Sequence, residues 1–215
     1  MDIYPLGHSS FRIKGKNATV VTDPFDPEMV GLKFPKVEEV DVVTVSHDHK
    51  DHDAVRLLPG SPFVVRGPGE YEVKRVTISG VSTWHDDKGG QERGKNVVYR
   101  LTIDGVNVCH LGDLGHKLTD GQVDEIGNVD VLFVPVGGFF TIDSKTAAAV
   151  VAQIEPRVVI PMHYYRSGMA ETFKEKIVGV EDFLREMGAE EVVPVPKYGT
   201  SKERLPETTT VVVLE

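Results

Sequence analysis

Four segments in the first half of the chain recur, in order, in the second. Phe11-Arg12-Ile13 is echoed by Tyr99-Arg100-Leu101, and Asp23 by Asp113, each at the end of the next strand. Val40-Asp41-Val42-Val43-Thr44-Val45 is echoed by Val129-Asp130-Val131-Leu132-Phe133-Val134. Pro62-Phe63-Val64-Val65 to Tyr71 is echoed by Pro156-Arg157-Val158-Val159 to Tyr165, ten residues in each. Chance accounts for any one of these, and less easily for all four in order. The order implies two βαβ-like halves, each a sheet with helices on its outer face. Strands this rich in Val and Ile are buried on both faces. Two such sheets pack face to face with helices outside, a four-layer αββα sandwich. The strand ends of both halves then meet along one edge. The 215 residues read as one domain, 1–215, with halves at about 1–95 and 96–215.

Turn and cap signals place the remaining elements. Asp104-Gly105 marks a hairpin between strands at 97–103 and 106–111. A helix is expected over 144–154, capped by Asp143 or Ser144, and shorter ones over 54–58, 171–177 and 180–187, the last stopped by Gly188. Gly67-Pro68-Gly69-Glu70-Tyr71 reads as a turn before a strand at 73–81, and strands at 192–195 and 208–214 close the chain. A polar, Gly-rich loop spans 88–95, either mobile or folded over something.

The chemistry concentrates in His47-Asp48-His49-Lys50-Asp51-His52, directly after the apolar run Val42-Val43-Thr44-Val45-Ser46. His and Asp are poor strand and core residues unless something satisfies them. Neutral imidazole and carboxylate are the usual ligands of a divalent metal, so a metal satisfies them here. The single cysteine, Cys109, excludes an intramolecular disulfide and a thiolate-rich site, and reads as a small buried residue. A formal net charge of −9 argues against a general nucleic-acid binder. No run approaches the ~20 apolar residues that span a bilayer. Nothing near Met1 reads as a signal peptide, so a cytoplasmic location is expected.

The motif resembles that of the metallo-β-lactamase-fold superfamily, and the resemblance extends from Gly7-His8-Ser9 to Pro161-Met162-His163-Tyr164. It is closest to the hydrolase branch that includes ascorbate-6-phosphate lactonase-like proteins. The resemblance implies two divalent ions, zinc first, with Mn2+ and Fe2+ equally compatible with His and carboxylate. It implies that His47, His49 and His85 hold one ion, that Asp51, His52 and His163 hold the other, and that Asp113 bridges. Asp23 then supports the ligands from behind. His110 competes with His85. Alternation along the strand to Asp113 turns His110 away from the metals, unless Gly112 breaks it. His8 is balanced between a structural and a functional role.

A metal-bridging hydroxide would be the nucleophile of such a site, acting on a small ester, lactone or phosphodiester. Asp51 would orient it or take its proton. His116, Tyr164 and His8 are candidate acids for the leaving group, and Lys145 and Arg166 possible anion contacts. His49 stands where oxygen-reducing di-iron relatives carry Glu, which disfavours redox chemistry. The expected partner is a small molecule, with no nucleic acid and no membrane. The competing function is a metal-containing binding or sensing module without turnover.

Overall fold

The Val- and Ile-rich runs form thirteen strands in two sheets. The computed structural model describes all 215 residues. The strands are β1 (Asp2–Gly7), β2 (Ser10–Lys14), β3 (Thr19–Thr22), β4 (Val42–Val45), β5 (Phe63–Arg66), β6 (Gly69–Val73) and β7 (Val76–Trp84). They continue as β8 (Lys95–Ile103), β9 (Val106–His110), β10 (Val131–Pro135), β11 (Val158–Met162), β12 (Tyr198–Gly199) and β13 (Thr210–Val211). One sheet has the order β12-β1-β2-β3-β4-β5, the other β13-β11-β10-β9-β8-β7-β6. Alternate side chains serve two cores. Phe11, Ile13, Val20 and Val42 of the first sheet meet Tyr99, Leu101, Phe133 and Ile160 of the second in the central layer. Cys109, Leu132, Val134 and Val159 point out of the second sheet into another core.

The repeat is present in the topology. Strands β1 to β5 and β7 to β11 pair in the same succession: antiparallel, antiparallel, parallel, parallel. A carboxylate holds the same place in each copy. Asp41 accepts from Thr19 N at 2.8 Å and from Lys74 Nζ, and Asp130 accepts from Asn107 N at 2.8 Å and from Lys202 Nζ. The ladders correct the alignment elsewhere. Val20 pairs with Val42 as Val108 pairs with Val131, so Asp23 corresponds to Leu111 and not to Asp113. Phe63 faces Val42 as Val158 faces Val131, which shifts that echo by one residue. The copies begin at β1 and β7, and the chain changes sheet between Arg66 and Gly69 rather than near residue 95.

Helices α1 (Pro27–Val30), α2 (Asp120–Ile126), α3 (Ser144–Ile154), α4 (Glu171–Lys174) and α5 (Glu181–Glu186) complete the chain. Ile126 of α2, Val150 and Ile154 of α3 and Phe183 of α5 cover the second sheet. The outer layer on the first sheet is thinner, with Val37, Val40 and Leu58 from irregular segments and a 3-10 turn, Val55–Leu57, where a short helix is expected. Asp143 caps α3 by accepting from Thr146 N at 2.8 Å. Helix α2 is announced by the box Thr119-x-x-Gln122, whose two reciprocal hydrogen bonds both form. The segment read as a turn at Gly69-Glu70-Tyr71 is strand β6, and the real turn is Lys74-Arg75, both at positive φ (48° and 63°). At the C-terminus only Thr210–Val211 and the bridge Val195↔Leu214 remain of two expected strands. No helix is long and apolar enough to cross a membrane.

Candidate metal centre

Every strand that carries site chemistry delivers it from its C-terminal end. His8 follows β1, Asp23 follows β3, and residues 47–52 follow β4 in the first sheet. His85 follows β7, Asp113 follows β9, and His163 follows β11 in the second. His8, Asp23 and His163 hold left-handed backbone angles (φ 53°, 38° and 53°). Such angles cost free energy in a non-glycine residue, so the surrounding structure imposes them. The His163 amide donates to the His8 carbonyl at 3.3 Å, which ties the two sheets together here.

Asp113 is the centre. Its carboxylate lies 3.2 Å from His52 Nε2, 3.2 Å from His85 Nε2, 3.3 Å from His163 Nε2 and 3.8 Å from His47 Nε2. Asn96 places it, accepting from Asp113 N at 3.0 Å and donating to Leu111 O at 2.9 Å. Gly112 is required in between. Its φ is +57°, and a Cβ would lie 2.3 Å from Asn96 Oδ1 and 2.6 Å from Ser46 Cβ.

Asp23 orients two of the imidazoles. It accepts from His52 Nδ1 at 2.8 Å and from Ser46 Oγ at 2.5 Å, and Ser46 Oγ in turn accepts from His47 Nδ1 at 2.9 Å. Both rings are thereby held with Nε2 free, the arrangement that fixes a ligating imidazole. His47, His49 and His85 bring ring nitrogens within 4.8 Å of one another, and in a second group ring nitrogens of His8, His52 and His163 and a carboxylate oxygen of Asp51 do the same. The structure thus assembles all seven residues expected to bind metal: His47, His49, Asp51, His52, His85, Asp113 and His163.

His8 is the addition. Its Nε2 lies 3.4 Å from Asp51 Oδ2 and its ring centroid 4.2 Å from that of His163. Gly-His-Ser-Ser gives no spacing partner in sequence, so only the fold reveals its company. His110 stands outside both groups, beneath the site. Its Nε2 donates to Ser9 O at 2.8 Å and its Nδ1 accepts from Gly112 N at 3.1 Å, so neither nitrogen is free. Strand β9 ends at His110 and Gly112 turns the chain. The strand alternation expected to turn His110 away therefore does not reach Asp113. His116 also has both nitrogens on backbone, accepting from Trp84 N at 3.2 Å and donating to Lys117 O at 2.8 Å.

Burial pushes His8 down to about 4 and His47 to about 3, with neighbouring imidazoles adding to the effect. Both are therefore neutral at physiological pH, as ligands must be. Burial pushes Asp113 up, but His163 and His52 outweigh it and hold the carboxyl well below its usual range. Asp51 is lowered in the same way by His52 and His8. His52 is raised well above the ordinary imidazole value: burial opposes this, and Asp113 and Asp51 override it.

These residues fit a metal. His8, His47, His52 and His163 each have a buried Nε2 without a hydrogen-bond partner, as does Asp113 Oδ1. Buried polar atoms left without a partner are destabilising, and a cation satisfies all of them at once. Asp23, Asp51 and Asp113 put three buried carboxylates in one cluster, which positive charge must balance. A cleft of about 440 Å3 opens above, floored by His49, Asp51, His85 and Asp113.

Comparison with known proteins identifies the family. The family model described as a beta-lactamase superfamily domain matches residues 2–163. A UPF0173 metal-dependent hydrolase of Methanopyrus kandleri is 30% identical, over 95% of this chain and 100% of its own length. One from Thermococcus onnurineus is 29% identical, over 90% and 95%. Among solved structures, a proposed zinc-dependent hydrolase of the metallo-beta-lactamase superfamily from Thermotoga maritima is 40% identical. It covers 100% of this chain and 98% of its own, with a TM-score of 0.81. A metallo hydrolase from Ignicoccus hospitalis shares the fold at 19% identity, covering 93% and 99%, with a TM-score of 0.70. The chain belongs to the beta-lactamase superfamily and, within it, to the UPF0173 group.

Proposed function

We propose that the chain is a metal-dependent hydrolase of a small ester, lactone or phosphodiester. The observation that carries this reading is the Asp113 carboxylate, ringed by the Nε2 atoms of His47, His52, His85 and His163 and open to a cleft. His47, His49 and His85 would hold one ion and Asp51, His52 and His163 the other, with His8 as a further donor and Asp113 shared. Such ions supply Lewis acidity and a nucleophile from water at neutral pH. Zinc suits this donor set, and Mn2+ and Fe2+ are compatible with it.

The chain's own residues do the rest. Asp23 and Ser46 hold the rings of His52 and His47 in one tautomer. Asp51 stays ionised and lines the cleft, where its carboxylate can orient a water or hydroxide by accepting a hydrogen bond; its lowered pKa makes it a weak base. Met29, Phe140 and Phe173 give the cleft an apolar wall that excludes water from one side of a substrate. A leaving-group role for His116 gains no support, because backbone groups occupy both its nitrogens. The partner is a small molecule, in keeping with the cleft volume of about 440 Å3, rather than nucleic acid or membrane. The reading places the chain in the cytoplasm, in keeping with its single, buried cysteine.

The test is metal content of protein purified without added metal, paired with turnover of a lactone, an aryl ester and a phosphodiester. About two ions per chain and chelator-sensitive turnover are expected. Asp113→Ala should reduce both. Bound ions with no turnover across the panel would favour the binding module. Full turnover after chelation would overturn the metal-dependent reading.

A further inference from the structure

The two halves differ most where the site opens. The β1/β2 turn closes tightly through Gly7 and Ser10, whereas β7 and β8 stay paired as far as Trp84↔Lys95. That extension carries the loop 85–94 out beside the cleft. The loop is not loose. Lys88, Gly90, Glu92 and Arg93 all donate backbone N–H groups to the Asp86 carboxylate, at 2.9, 2.7, 3.0 and 2.8 Å. Asp86 is 3% exposed and adjoins His85, so the loop is anchored to the site itself. The anchored loop presents Arg93 to the cleft wall.

A second cation, Lys50, reaches the same cleft from the histidine-rich motif. These charges are not an accident of a basic surface, because the chain carries a net −9. Nor are they neutralised as their neighbour is. Arg66 is tied to Asp48 at 3.1 Å and Asp53 at 3.3 Å, while Lys50 forms no ion pair and Arg93 only a long one, 3.5 Å to the adjacent Glu92. Lys145 and Arg166, the basic residues singled out in the sequence, lie away from this cleft. Met29, Phe140 and Phe173 form its apolar side, where charge interactions are strengthened.

We infer that Lys50 and Arg93 form an anion subsite, so that the substrate carries a carboxylate-, sulfonate- or phosphate-like group and an apolar body. This rests on the cleft being the substrate site of the proposed hydrolase. The guanidinium fork of Arg93 matches a planar or tetrahedral oxyanion, and Lys50 adds a point charge. The body packs on Phe140 and Phe173 while the scissile group reaches Asp51 and Asp113.

The probe is benzenesulfonate, an anion on an aromatic ring that is a weak metal ligand, against its neutral analogue methyl phenyl sulfone. Binding to the metal-containing protein is measured by calorimetry for the wild type, Arg93→Gln, Lys50→Gln and the double variant. The wild type should prefer the sulfonate by about tenfold or more, the worth of one charge-assisted contact. Each single variant should cut that preference, and the double variant should abolish it, with sulfone affinity unchanged. Equal binding of the two probes, a preference untouched by the variants, or no binding of either at millimolar concentration overturns the subsite. An intact sulfonate preference without turnover of any ester, lactone or phosphodiester would instead remove the hydrolase reading and leave the subsite standing.

Discussion

His8 illustrates how much a single position depends on its company. Both of its ring nitrogens are buried without a partner, and its φ of 53° is one that few residues accept. A purely structural histidine would satisfy at least one nitrogen, as His110 satisfies both. His8→Asn tests this cleanly, since Asn tolerates the left-handed region. The variant should fold and lose about tenfold or more in affinity for the more weakly held ion, read by competition with a fluorescent chelator. Unchanged affinity would make His8 a packing residue. His110→Ala should do the opposite. It strands the Ser9 carbonyl and the Gly112 amide, costing about 1–3 kcal/mol in denaturant unfolding while ion affinity holds. The cluster from His47 to His52 is legible in sequence because its members share one turn. His8 and Asn96 are not, because their partners are distant in the chain and met only through the fold. Arg93 is equally silent, one polar residue in a polar loop until Asp86 fixes that loop.

At the scale of elements, strand type is legible from composition, and strand register is not. Asp104-Gly105 marks its hairpin because Gly accepts φ of 80° freely. Lys74-Arg75 makes the same kind of turn with no such residue, so β6 and β7 read as turn and strand in the wrong places. The repeat likewise shows which strands correspond but not their alignment, because turn geometry and the buried face set register. Asp41 and Asp130 are where the two agree. Each accepts an amide from the strand beside it, at the N-terminal end of β4 or β10, opposite the site. Asp41→Ala and Asp130→Ala should each cost about 1–3 kcal/mol by leaving Thr19 N or Asn107 N without its acceptor. Metal content should be unchanged in both. A parallel loss of metal would show that the two strand ends are coupled. Cys109 tests the core between β9 and the outer helices. It is fully buried, and burial pushes its thiol up to about 12. It should resist a thiol reagent at pH 8 in the folded protein and react on unfolding. Rapid labelling of the native state would mean that this core opens.

For the whole molecule, the site is a seam. His8, Asp23 and the His47 to His52 turn come from one sheet, and His85, Asp113 and His163 from the other. The central core already holds the sheets together with Phe11 stacked on Phe133 at 4.2 Å. At the seam edge, hydrogen bonds between the sheets join largely polar groups, such as the His163 amide to the His8 carbonyl. Three buried carboxylates repel one another there unless positive charge lies between them. Without a metal, a proton on His52 supplies part of that charge; bound cations would displace that proton and supply more. Ions that bind only the folded chain must therefore stabilise the whole domain and not just the loops that hold them. At about 100 times the dissociation constant the gain is about 2.7 kcal/mol, or about 5–10 °C in Tm for a chain of this size. Calorimetry before and after chelation should show that shift as a single transition. Asp113→Ala should abolish most of it, because the shared carboxylate goes. Two separate transitions after chelation would mean that the sheets unfold independently, and no shift would mean that the ions bind a site already stable without them.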